Sequence, residues 1–128
     1  MSFDVTVYGP TTDSKEQEEL YQQPLGGHGT VTRYWLQPAE HLGLTFLPRL
    51  SSGMLTVEHH QLTAFAQELK LLPRHWVTSV PDDASVPGTI AGRDLTTPLL
   101  VHLLHRLALL RAAIRIAELS GGHLYISG

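Results

Sequence analysis

The stretch VHLLHRLALLRAAIRIAELSGGHLYISG (101–128) restricts the fold more than any other part of the chain. Its apolar run begins near residue 95 and is long enough to suggest a membrane span. His102, His105, Arg106, Arg111 and Arg115 interrupt it, and each Arg at bilayer depth is strongly unfavourable. A helix within a folded core is the expectation, with no membrane partner. Thr96 or Thr97 starts it, Pro98 sits in the first turn where its missing N–H is harmless, and Gly121-Gly122 suits a left-handed end. His102, His105 and Arg106 gather on one side; Arg111, Arg115 and Glu118 fall on the opposite side. A polar stripe that switches face midway predicts a central helix, over about 97–119, covered on different sides along its length. HLYIS (123–127) alternates Leu124 and Ile126 against Tyr125 and reads as a short closing strand.

Upstream, FDVTVYG (3–9) sets Phe3, Val5 and Val7 against Asp4, Thr6 and Tyr8, a half-buried strand stopped by Gly9-Pro10. Asp13 precedes Glu16 by three residues, and Ser14 precedes Gln17 by three. Either pair fits a capping box for a short polar helix over 14–22. LGGHG (25–29) reads as a loop, and the β-branched and aromatic TVTRYWLQ (30–37) as a strand. GLTFL (43–47) and MLTVE (54–58) are two further short strands. Leu62, Phe65, Leu69 and Leu72 then share one helical face, with Gln61, Gln67, Glu68 and Lys70 outward, so a helix over 59–72 ends at Pro73. Residues 73–94 hold three prolines and two glycines and read as a long loop with one brief strand, HWVTSV; loops of this length often bind something. The expected architecture is one α+β domain over 1–128. A small, mostly antiparallel sheet packs against the two main helices, and a short C-terminal strand joins it.

Composition narrows the function. The absence of cysteine excludes disulfides and thiolate metal sites. MSFDVTVYGP lacks the basic and apolar regions of a secretory leader, so a cytoplasmic location is expected. With a formal charge of −3 and no basic run, a nucleic-acid partner is not expected. A mildly acidic chain suits a basic protein partner instead.

Motifs for chemistry are missing. His102 and His105 can face one ion, but neither HExxH nor a Glu-x-x-His pair is present. LSSGM does not match G-x-S-x-G, and GTIAGRD misses the phosphate-cradling loop in spacing and in its final residues. No catalytic residue, metal or cofactor is expected. Asp13, Glu16, Glu18 and Glu19, relieved only by Lys15, fit a solvated helix start or an acidic contact patch.

LTVEHHQLTAFAQELKLL, the proline-rich gap after it, and the C-terminal stretch together resemble small bacterial immunity proteins of contact-dependent growth inhibition and related polymorphic-toxin systems. The likeness falls on Val57, Leu62, Glu68, Leu69 and Leu72, then on Leu103, Leu107, Leu110, Ala113 and Ala117, and finally on Gly121, Gly122, Tyr125 and Ile126. These are mostly core positions, and residues 1–53 carry no part of it. The resemblance implies a cytoplasmic protein that binds a cognate toxin domain, often a nuclease, and blocks its active site without catalysis. Under it, the partner-binding candidates are Asp13, Glu16, Glu18, Glu19 and Tyr21, with Trp76, Asp82 and Asp83 in the long loop. Two readings stand beside it. One is a small His-dependent metalloenzyme using His102, His105 and a third ligand such as His75 or Asp94. The other is a homo-oligomeric scaffold with the final helix at a subunit interface.

Overall fold

A computed structural model describes residues 2–10 and 18–128, without the side chains of 88–90. Strands β1 (Ser2–Tyr8), β2 (Glu19–Gly27), β3 (Met54–Val57) and β6 (His123–Ser127) form one antiparallel sheet in the order β2-β1-β6-β3. The expected α+β architecture is what is found. Phe3, Val5, Val7, Leu55, Val57, Leu124 and Ile126 point inward and are buried together with the helices.

Helix α5 (Leu99–Ser120) lies on that inner face. Its buried residues, Leu99, Leu103, Leu107, Leu110, Ala113, Ile114 and Ala117, form a single stripe at helical spacing. The expectation of a helix covered on alternating sides is therefore wrong. The opposite side is open along the whole length, leaving Val101 and Leu119 exposed. Thr96 and Thr97 belong to a strand, and Pro98 occupies the cap position. Gly121 ends the helix at φ 72°, as a left-handed cap requires. A Cβ at Gly122 would overlap the Tyr8 carbonyl oxygen, so only glycine lets the chain turn tightly into β6.

Several local expectations fail for identifiable reasons. The polar helix over 14–22 does not form where it is described, because Glu19–Gly27 pairs with β1. Pro24 is tolerated there since β2 is an edge strand. The strand expected over 30–37 is helical. Helix α1 (His28–Val31), a π turn (Thr32–Leu36) and α2 (Gln37–His41) run on continuously. Val31, Trp35 and Ala39, four residues apart, are its buried side, and that packing outweighs their β-propensity. The π turn has a specific cause. The Tyr34 carbonyl would ordinarily accept from the N–H four residues on, but Pro38 has none. The Trp76 indole N–H donates to that carbonyl instead, at 2.6 Å.

Residues 43–47 form no strand. The Glu68 carboxylate accepts from the backbone N–H groups of Thr45, Phe46 and Leu47, the last two at 3.0–3.1 Å, and so caps the 3-10 turn Leu47–Ser52. Glu68, expected on the outer side of its helix, is buried for this purpose. The helix expected over 59–72 comprises a 3-10 turn (His59–Gln61), α3 (Leu62–Leu69) and, after Lys70, α4 (Leu71–Ser79). Pro73 does not end it; the proline falls in the first turn of α4, where no N–H is needed. HWVTSV accordingly is helical and not a strand. The rest of the supposed loop is a hairpin of β4 (Ser85–Ile90) and β5 (Arg93–Pro98), closed by Ala91 and Gly92 at positive φ.

Candidate functional site

The structure scatters the residues singled out from the sequence. Asp13 and Glu16 lie outside the described residues. Glu18 and Glu19 are exposed at the start of β2, where the Gly9 N–H donates to the Glu18 carbonyl at 2.8 Å. Tyr21 pairs with Val7, which turns it inward, half-buried against the core. Trp76 is wholly buried, edge-to-face against Trp35 with centroids 5.0 Å apart, so it cannot anchor a partner as expected. Asp82 and Asp83 are exposed between α4 and β4.

These two acidic groups do not form one patch. Ala84, just after Asp83, accepts from the Leu99 N–H at the start of α5. Glu19 pairs with Tyr8, which abuts Gly122 beyond the other end of α5. A 22-residue helix separates the two ends by roughly 33 Å.

A coherent surface does exist on the outer face of the sheet. The registers align Gln22, Thr6, Tyr125 and Thr56 across all four strands. On one side of that row lie Glu19, Tyr8 and His123; on the other lie Pro24, Asp4, Ser127 and Met54. Tyr8 and His123 stack with centroids 5.6 Å apart. Met54 is 55 % exposed, and Tyr8, His123 and Tyr125 are half-buried, so flat aromatic area is presented to solvent. Of the nine Lys and Arg residues in the chain, none lies in these four strands, whose only ionised side chains are Asp4 and Glu19. The bases are elsewhere: α5 alone carries Arg106, Arg111 and Arg115. The molecule is thus acidic and aromatic on its sheet face and basic along the helix that covers the other.

A second feature is a cleft of about 370 Å³ between the helical run 28–41 and α4. Arg33, Tyr34, Gln37 and His41 line one wall, His75 and Ser79 the other. The His41 and His75 rings lie with centroids 6.1 Å apart, tilted at 45° to each other.

His102 is half-buried and His105 exposed. Burial lowers the His102 pKa, and the adjacent Arg106 and His105 lower it further. Among the described residues no three His, Asp or Glu side chains are grouped to hold a metal ion, and no described helix is long and apolar enough to cross a membrane.

No family model, curated protein or solved structure matches the chain. The sheet face escaped the sequence because its strands are far apart in order. The alternation of Asp4, Thr6 and Tyr8 was legible, and so was that of Tyr125, but not their adjacency. Arg33, Gln37 and His41 share a helical spacing of four, a signal hidden once 30–37 is taken as a strand.

Proposed function

We propose that this chain is a cytoplasmic immunity protein, which neutralises a cognate toxin domain by covering its active site with the outer face of the sheet. The observation that carries the reading is the segregation of charge: a flat aromatic face built on four strands that carry Asp4 and Glu19 and no Lys or Arg, with Arg106 reaching only the Pro24 carbonyl of the edge strand, at 3.1 Å. A nuclease cleft must be basic to hold a phosphate backbone. Asp4 and Glu19 supply complementary charge to such a cleft, while Tyr8, Tyr125 and Met54 supply the rigid and adaptable apolar area typical of interface centres. The likeness of residues 55–128 to immunity proteins supports the same conclusion, and no catalytic residue is assigned.

A standard interface covers about 800 Å² on each partner. The face spans roughly 14 Å across four strands and a similar length along them, on the order of 200 Å² in projection, so a standard interface extends well beyond the strands, over the exposed Glu18 and further neighbouring surface.

Co-expression provides the test. A toxin domain captured from the native strain should arrest growth when expressed alone, and the intact chain should restore it. The double variant Asp4→Lys/Glu19→Lys should fold normally and protect poorly. A captured partner without toxicity, or full protection by the charge-reversed variant, would overturn the assignment.

A further inference from the structure

We propose that the cleft between the helical run 28–41 and α4 binds a small organic phosphate. Arg33, His41 and His75 converge there in a chain of formal charge −3, and no described carboxylate lines the cleft. Three side chains that are or can become cationic, gathered without a counter-charge, attract an anion and repel a metal ion. Two neighbouring imidazoles alone would suit a transition metal; the arginine beside them decides against it.

The volume separates a bare ion from a larger ligand. About 370 Å³ lies within the range of small-molecule sites, roughly 300–1,000 Å³, and exceeds what inorganic phosphate fills. Tyr34, Pro38 and Pro81 contribute apolar wall on which an organic group can rest. Arg33 and the imidazoles take the phosphate oxygens.

The walls are held in place before any ligand arrives. The Arg33 guanidinium lies over the Tyr34 ring, 5.5 Å from its centroid. Beneath them the Tyr34 carbonyl is fixed by the Trp76 indole, and Trp76 belongs to the helix that carries His75. The hydrogen bond from Trp76 to the π turn at Pro38 therefore ties together the two elements that form the walls, and π turns recur at functional sites. This site is independent of the sheet face, and either assignment can fail without the other.

The test is an NMR titration of the full chain, following the His41 and His75 ring resonances, with adenosine 5′-monophosphate, inorganic phosphate, succinate and zinc as separate probes. The nucleotide should shift both rings with a Kd of roughly 1 mM or below. Inorganic phosphate should shift the same rings more weakly, and succinate about tenfold more weakly than the nucleotide. Arg33→Ala and His41→Gln, both at exposed positions, should each weaken nucleotide binding about tenfold with an unchanged melting temperature. No shift at roughly 10 mM nucleotide, or binding undiminished in Arg33→Ala, overturns the proposal. Equal affinity for succinate or for inorganic phosphate also overturns it, as does zinc binding at lower concentration than the nucleotide.

Discussion

Glu68 shows how much one side chain can determine. Its carboxylate accepts from three successive backbone N–H groups, those of Phe46 and Leu47 buried, and it thereby converts residues 43–47 into the start of a 3-10 turn. Glu68→Leu is expected to destabilise the protein by about 3 kcal/mol or more, read from denaturant unfolding, because several donors lose an acceptor at once. Glu68→Gln, which keeps one acceptor oxygen, should cost less. If the leucine variant is as stable as the parent, the capping role is wrong. His102 makes a second prediction at this scale. Its pKa is lowered in the folded state, so the unfolded chain binds more protons around and below its ordinary value of 6.5. The His102 contribution to stability is present above that value and is lost as pH falls through 6.5 toward the lowered folded pKa. His102→Asn should lose part of this acid-side decline in melting temperature; an identical pH profile in the variant would exclude the effect. Neither residue's role was legible in the sequence. Glu68 occupies what looks like the outer side of an amphipathic helix, and only the return of residues 45–47 across that helix buries it.

At the level of elements, strong periodicity transferred well and composition transferred badly. Strand β1, the long helix and the closing strand appear within a few residues of their expected limits, since alternation and helical spacing there report directly on one buried face. The segments 30–37 and 43–47 are rich in β-branched and aromatic residues, yet neither is a strand. In the first, the buried Val31, Trp35 and Ala39 set the structure; in the second, side-chain capping replaces ladder bonds. Proline also misled. Pro73 opens α4 rather than ending α3, and Pro38 sits inside a helix because Trp76 serves the carbonyl it leaves without a donor. The junction of α5 and β6 carries a prediction of its own. Gly122→Ala places a methyl group against the Tyr8 carbonyl and should destabilise the fold by about 2 kcal/mol or more. Gly121→Ala, in a left-handed position with open space around it, should cost only about 1 kcal/mol. Thermal or denaturant unfolding compares the two, and the reverse order would mean that the turn into β6 relaxes more than its packing implies.

The whole molecule is two layers with opposite electrostatic character. A sheet face with Asp4, Glu19 and three half-buried aromatic rings lies on one side; the exposed side of α5, with Arg111 and Arg115, lies on the other. Arg115 pairs with Glu118 at 3.5 Å in an exposed contact of little energetic weight, so most of that basic charge stays open to solvent. A basic partner approaching such a molecule is oriented toward the sheet before contact, which raises the association rate more than the final affinity. The two acidic segments expected from the sequence to contact a partner lie at two ends of the molecule, and only the end bearing Glu18 and Glu19 adjoins the aromatic face. Exchanging Asp82 and Asp83 for asparagine should therefore leave partner association nearly unchanged. The most direct test is the association rate constant with the captured partner domain, measured from low to high salt for the parent and for Asp4→Lys/Glu19→Lys. As the screening length falls from about 30 Å at 0.01 M salt to about 3 Å at 1 M, the parent rate should drop about tenfold or more. The charge-reversed variant should start slow and respond little. A parent rate that is indifferent to salt, or a variant that matches it at low salt, would contradict the claim that the sheet face meets a basic partner.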